Sequence, residues 1–250
     1  ITLEDDAGSY GNLAAGTYSD CTITITDLAG NTAAAGALTF TQFIIDLSVA
    51  AATETTAVST PDNDATPDVV INVAEAGTIA VGGTSGCDSS ETAVASGANT
   101  ITLDKDGAGA NMDDGSYTCT ITFTDSAGNA ASALTLTAFT VDATQPTRSE
   151  STVVSTPGKD QTPDIGITVS EAVTAVYGGD CDSQTSSLSS GANTITLEDD
   201  AGSYGNLAAG TYDDCTITIT DLAGNTAAAG ALTFTTFIIG GIHGGIFTPP

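Results

Sequence analysis

DCTITITDLAGN occupies residues 20–31 and recurs letter for letter at 214–225, with a near-copy, TCTITFTDSAGN, at 118–129. In CTITITD, apolar residues alternate with threonine, so that Cys21, Ile23 and Ile25 share one face and the threonines share the other. A period of two belongs to an extended strand with one buried face. The DSAGN that closes the middle copy reads as a hairpin turn, with Gly128 free to adopt a positive φ.

The copying extends well beyond the twelve residues. ITLEDDAGSYGNLAAGTY begins at Ile1 and again at Ile195, and the looser ITLDKD begins at Ile101. Residues 1–46 and 195–240 differ at three positions only: Ser19/Asp213, Gln42/Thr236 and Asp46/Gly240. Upstream, STPDNDATPDVVINVAEAGTIAVGG (59–83) matches STPGKDQTPDIGITVSEAVTAVYGG (155–179), whereas no such half precedes the first ITLEDD. The repeat unit is therefore a domain of about a hundred residues. The expected organisation is a C-terminal half domain at 1–46, complete domains at 47–142 and 143–240, and a tail, GIHGGIFTPP, at 241–250. Near-identity across a two-domain block is what duplication of that block within an array produces.

A full unit reads as seven short strands. In the second they are expected at 57–61, 67–75, 77–83, 92–96, 99–104, 117–125 and 134–142, separated by turn residues at the spacing of a sandwich. No helical period appears beyond a weak signal at NLAAG. The fold class is all-β: tandem immunoglobulin-like β-sandwich domains.

Asp and Glu number 31 against 3 Lys and Arg, a formal charge of −28. Such a surface repels nucleic acid and anionic lipid, because Lys105, Arg148 and Lys159 are the only fixed cations in the sequence. It suits divalent cations or a salty medium. The most apolar run, Ala33 to Ala52, is interrupted by Thr39, Thr41, Gln42, Asp46 and Ser48, and so falls short of a membrane span. With neither an initiator Met nor a signal peptide at Ile1, the sequence reads as a piece of a longer, exported protein.

The five cysteines follow the repeats. Cys87 and Cys119 lie in the second unit, Cys181 and Cys215 in the third, and Cys21 is alone because its partner would lie in the absent front half. The first member of each pair lies just past the third strand and the second early in the sixth. Those strands are antiparallel neighbours in a sandwich, so pairings Cys87–Cys119 and Cys181–Cys215 are expected. A disulfide-stapled domain belongs outside a reducing cytoplasm. The alternative, a metal or redox site, lacks C-x-x-C spacing, and the only histidine, His243, is in the tail.

T-x-T-D-x-A-G-N followed some thirteen residues later by F-x-V-D-x-T-x-P resembles the bacterial Ig-like repeats of large bacterial and archaeal surface proteins. Thr122–Asn129 with Phe139–Pro146, and Thr218–Asn225, carry the resemblance. Paired cysteines are not a usual feature of that family, and the first joint, FIIDLSVAAATE, lacks the proline. The resemblance implies an adhesin, surface-layer or surface-fibre array, with calcium often bound at the domain joints. Sandwich geometry then brings Asp46 to Glu75 and Asp125, and Asp142 to Glu171 and Asp221, with Asn129 and Asn225 as additional oxygens. Calcium takes six to eight hard oxygens, at about 10⁻⁴–10⁻³ M in extracellular modules. Alternatively, DxAGN is only a turn whose Asp caps local N–H groups. A second acidic stretch, DKDGAGANMDD (104–114), superficially resembles an EF-hand loop but lacks its closing Glu, and reads as a solvated loop.

Catalysis finds little material: no histidine lies inside a domain, no glycine-rich loop leads to a lysine, and the carboxylates sit beside Gly and Ala. No enzyme activity is expected. No N-x-[S/T] sequon occurs. The sequence favours a structural segment of an extracellular tandem array at the cell surface, forming a fibre, stalk or surface layer with neighbouring copies as partners. The rival reading is an adhesin whose domains bind a glycan or protein directly, with Tyr10 and Tyr204 among the few loop aromatics. The tail reads as a linker or as a strand donated to another copy.

Overall fold

The computed structural model describes residues 3–4, 11–33, 36–199, 204–228 and 230–240, and among these no helix occurs. The tail at 241–250 and Tyr10 lie outside the described residues. The first stretch carries β1 (Gly16–Tyr18), β2 (Thr22–Ile23), β3 (Leu38–Thr39) and β4 (Phe43–Ile45). The second carries β5 (Thr53–Thr56), β6 (Asp68–Val73), β7 (Gly77–Gly83), β8 (Ala93–Val94) and β9 (Gly97–Thr102), then β10 (Gly115–Tyr117), β11 (Cys119–Asp125), β12 (Leu134–Thr135) and β13 (Phe139–Val141). The third carries β14 (Arg148–Thr152), β15 (Asp164–Val169), β16 (Val173–Gly178), β17 (Ser187–Leu188) and β18 (Gly191–Thr196), then β19 (Gly210–Tyr212), β20 (Thr216–Asp221), β21 (Leu232–Thr233) and β22 (Phe237–Ile239). The chain divides into two compact units. One comprises Ile1–Val58, Thr66–Met112 and Tyr117–Ala138, the other Ser59–Ala65, Asp113–Ser116 and Phe139–Pro250.

In the second unit, sheet order β14-β15-β18 stands opposite β17-β16-β20-β21, with β19 paired to β22. Every one of these pairings is antiparallel. Three strands against four, with the third and sixth strands adjacent, is the arrangement of an immunoglobulin-like sandwich. Alternation explains the core: Ile165, Ile167 and Val169 of β15 and Ile217 and Ile219 of β20 are buried with Ile195 and Phe237. The intervening threonines of β20 are only half-buried. Burying each large aliphatic side chain contributes about 1.5–3 kcal/mol, so a dozen such residues carry the domain.

The first unit repeats the orders β5-β6-β9 and β12-β11-β7-β8, and holds the shorter pairs β1-β4 and β2-β3. Val69, Ile71 and Val73 of β6 are buried at alternate positions, as are Cys119, Ile121 and Phe123 of β11. β7 and β11 approach closely at Gly77, where a Cβ would lie 2.2 Å from the Thr124 carbonyl oxygen. Gly128 has φ +93°, as the hairpin turn requires.

Strand positions differ from expectation in two respects. The first strand of the second repeat is β5 at 53–56, and residues 57–61 lie outside any strand. Thr53, Glu54 and Thr56 take up the pairing positions opposite Asn72, Ile71 and Val70, and β6 begins only at Asp68, so little edge is left for 57–61. Pro61 also has no N–H to offer a ladder. The expected sixth and seventh strands are each broken in two. In the third repeat, β21 pairs with β20 whereas β22 pairs with β19, so the last strand steps from one partner to the next.

The repeated hexapeptide TITITD shows how far context decides. At 216–221 all six residues form β20 against β16. At 22–27 only Thr22 and Ile23 are strand, paired to β3 alone. Propensity is the same in both places; a partner strand is what differs.

Candidate metal centre

The disulfides join the strands expected of them. Cys87–Cys119 has a Cα–Cα distance of 5.6 Å and Cys181–Cys215 one of 5.2 Å, and Cys21 is free. Cys119 lies opposite Gly83 at the end of the β7–β11 ladder, and Cys87 follows four residues later. Each bond closes a loop of just over thirty residues, worth about 3–4 kcal/mol on loop entropy.

Two groups of carboxylates assemble at matching places. Asp46, Glu75 and Asp125 each bring a carboxylate oxygen within 4.8 Å of the other two, and so do Asp142, Glu171 and Asp221. The strands explain the convergence. Asp46 and Asp142 follow directly on β4 and β13, where the chain leaves one repeat for the next. Glu75 and Glu171 sit in the tight turns between β6 and β7 and between β15 and β16, and Asp125 and Asp221 end β11 and β20. Antiparallel pairing of Gly77 with Asp125, and of Val173 with Asp221, brings each turn beside its aspartate.

The innermost carboxylates are fixed by local N–H groups. Asp125 Oδ1 accepts from the Ala127 and Asn129 N–H groups at 2.8 Å each, and Oδ2 accepts from Asn129 Nδ2 at 2.7 Å. Asp221 Oδ1 accepts from the Gly224 and Asn225 N–H groups at 2.8 Å, and Oδ2 from Asn225 Nδ2 at 2.9 Å. The Asn129 side chain, followed by the surrounding N–H groups, holds the Asp125 carboxyl below its ordinary range. The outer members are tied more lightly: Asp46 Oδ1 accepts from Ser48 N–H at 3.1 Å, and Asp142 Oδ1 from Thr144 N–H at 3.2 Å.

Asn129 and Asn225, expected to add oxygens, turn their nitrogens inward instead. Asn129 Nδ2 donates to the Asp46 carbonyl at 3.1 Å, and Asn225 Nδ2 to the Asp142 carbonyl at 2.6 Å. Each asparagine is thus a bracket that ties the departing strand to the inner carboxylate. A sequence pattern cannot reveal which end of an amide faces a site, because that depends on acceptors from a distant strand.

The donor set fits a hard divalent cation. Two oxygens on one calcium at 2.3–2.6 Å lie at most about 5 Å apart, which agrees with the mutual spacing in both groups. In the second group, burial and then the charges of Asp142 and Asp221 push the Glu171 carboxyl above its ordinary range. A bound cation relieves that crowding. DKDGAGANMDD is arranged otherwise: Asp104 is buried and its carboxylate accepts from the N–H groups of Asp106, Gly107 and Gly109. Its backbone donors cap Asp104, while Lys105, Asp106, Ala108, Gly109, Asn111, Asp113 and Asp114 are exposed, so the stretch is the solvated loop expected, closed by a buried aspartate.

No helix among the described residues is long and apolar enough to cross a membrane. No family model matches the chain. No curated protein matches it either. Among solved structures, the chain is similar to Clostridium thermocellum CbhA fibronectin(III)-like modules, with 13% identity over 76% of this chain and 94% of that one and a TM-score of 0.38.

Proposed function

We propose that the chain is a structural segment of an extracellular tandem array of Ig-like sandwiches, of the kind that bacterial and archaeal Ig-like repeats form in cell-surface fibres, stalks or surface layers. One observation carries the reading. The same carboxylate triad and the same asparagine bracket stand at both passages from one repeat to the next, 96 residues apart. A feature repeated at every passage serves the array rather than one specialised unit.

Calcium at each triad offsets two of the three converging negative charges and fixes the departing strand to the next repeat. Asp46, Glu75 and Asp125 hold one ion, and Asp142, Glu171 and Asp221 the other, with backbone oxygens and water completing the shell. The disulfides support an oxidising, extracellular setting. The acidic surface turns nucleic acid away, and the partners in this reading are neighbouring copies of the array.

Calcium titration by calorimetry, with thermal unfolding in calcium and in EDTA, tests the ion. Heat of binding and a rise in melting temperature are expected, and both vanish in a variant carrying Asp125→Asn and Asp221→Asn. An unchanged melt on chelation removes calcium from the reading. Imaging of native assemblies tests the array separately: long uniform filaments or a lattice support it, and isolated stalks with a distinct tip count against it.

A further inference from the structure

Most strand edges in the two complete repeats are guarded. β5 and β14 carry Glu54, Arg148 and Glu150, and a register shift breaks each of them, at Glu54/Thr56 and Glu150/Thr152. β8, β12, β17 and β21 are two residues long. Short, charged or bulged edges are the usual protection against pairing with another chain. β9 and β18 are the exception. Each ends its sheet, runs six residues without a register shift, and reads GANTIT with no charge, in a chain with 31 Asp and Glu. The Leu103 and Leu197 N–H groups donate inward, to the Pro67 and Pro163 carbonyls, at 2.9 Å each. An antiparallel ladder alternates, so Gly97, Asn99 and Ile101 address β6, whereas Ala98 and Thr100 turn their N–H and C=O groups outward. Ala192 and Thr194 do the same on β18. These four residues are exposed, and among the described residues no strand pairs with that side of either edge. The free stretch ends where Asp104 bridges Asp88 and the Ser89 hydroxyl donates to the Thr102 carbonyl at 2.7 Å.

We infer that β9 and β18 are docking edges for a second copy of this chain, which adds its own GANTIT strand antiparallel to them. The inference rests on the reading that neighbouring copies are the partners, and it names the surface they share. Three observations choose this occupant. The strand is complementary to itself: about a two-fold axis at Asn99, Ala98 of one copy stands opposite Thr100 of the other, and each such pair exchanges both N–H···O=C bonds. Copies with a formal charge of −28 repel one another, and a strand edge free of carboxylates is where that repulsion is least. The same six letters form the edge in both complete repeats, so every repeat adds a contact and weak contacts sum along the array. A basic peptide would be drawn to the acidic loops rather than to this uncharged strand.

Sedimentation and hydrogen exchange of the full 250-residue chain, over a dilution series in high salt to screen the charge, test the edge. Association is expected as concentration rises, with exchange at Ala98, Thr100, Ala192 and Thr194 slowed by roughly tenfold or more and exchange on β5 unchanged. Thr100→Pro with Thr194→Pro removes outward N–H groups and no ladder bond, so association is lost while both repeats keep their melting temperature. Ala98→Asp with Ala192→Asp, which charges the edge, gives the same loss. Cross-linking reads the register. In a Cys21→Ser background, Ala98→Cys chains mixed with Thr100→Cys chains join under oxidised glutathione, because opposed residues of a hydrogen-bonded pair lie about 5.5 Å apart at Cα. A Thr55→Cys control on the β5 edge joins far more slowly. A chain that stays monomeric, association that survives both variants, or cross-linking no faster than the control overturns the inference. Filaments that imaging still shows for the proline variant leave the array standing and remove this edge from it.

Discussion

A single side-chain nitrogen, Nδ2 of Asn225, reaches both the Asp221 carboxylate at 2.9 Å and the Asp142 carbonyl at 2.6 Å. The second bond spans 83 positions of sequence, so one amide fastens the strand arriving from the second repeat to the turn that closes β20 in the third. Asn225 is buried, and its own backbone N–H and that of Gly224 also donate to the Asp221 carboxylate.

Asn225→Ala therefore leaves the Asp142 carbonyl without its side-chain donor at a half-buried position. A loss of about 1–3 kcal/mol is expected, the usual cost of stranding such a group. Urea unfolding in EDTA, where no cation compensates, measures it. A midpoint equal to the parent's would mean that water satisfies the carbonyl and that the bracket is idle.

Glu171→Gln separates calcium binding from charge crowding, because the two act with opposite signs. In EDTA the substitution removes a carboxylate pushed above its ordinary range by burial and by Asp142 and Asp221, so the melting temperature rises. In calcium a ligand is lost, and the calcium-dependent increment shrinks. With calcium a hundredfold above its dissociation constant, an intact site adds about 2.7 kcal/mol. Calorimetric melts of parent and variant in both buffers give the four values. A variant that loses stability in EDTA contradicts the crowding argument.

Cys181→Ser with Cys215→Ser opens one loop and costs about 3–4 kcal/mol, comparable to a large share of a sandwich's margin. The transition assigned to the third repeat moves to lower denaturant, and the Cys87–Cys119 loop is unaffected. Cys21→Ser leaves the unfolding of both stapled repeats where it was.

Acid acts on Asp114. Its carboxyl is held below the ordinary value of 3.8 by the Thr144 hydroxyl and the Ala143 N–H. A depressed carboxyl stabilises the fold above that value, and the contribution disappears as pH falls through the depressed folded-state pKa. The group is exposed, so solvent screening keeps the effect to a few tenths of a kcal/mol. Asp114→Asn lowers stability slightly at neutral pH and matches the parent once the parent's Asp114 carboxyl is protonated. Stability measured from pH 5 down to 2 checks the convergence.

Much of this was legible because alternation and repetition are one-dimensional signals. The row Cys119, Ile121, Phe123 fixes the buried face of β11, and the offsets between copies place every later element. The carboxylate triads could be anticipated for the same reason: once third and sixth strands are neighbours, Glu171 must meet Asp221. Three features escaped. The placement of β5 at 53–56 depends on where β6 offers an edge, which no local preference records. The inward turn of the Asn129 and Asn225 nitrogens depends on carbonyls some eighty residues away. The contraction of TITITD from six strand residues at 216–221 to two at 22–27 is invisible to sequence, because the letters are identical.

The position of the disulfides has a mechanical consequence. Each bridge ties residues 32 or 34 positions apart, so when a repeat is pulled by its ends the enclosed loop bears no tension. At about 3.3–3.6 Å per residue, roughly 110 Å of contour length is withheld from each of the two disulfide-bonded repeats until a reductant releases it. A stapled repeat under load thus lengthens by about two thirds of what its residue count allows, and the chemistry of the surroundings sets its reach.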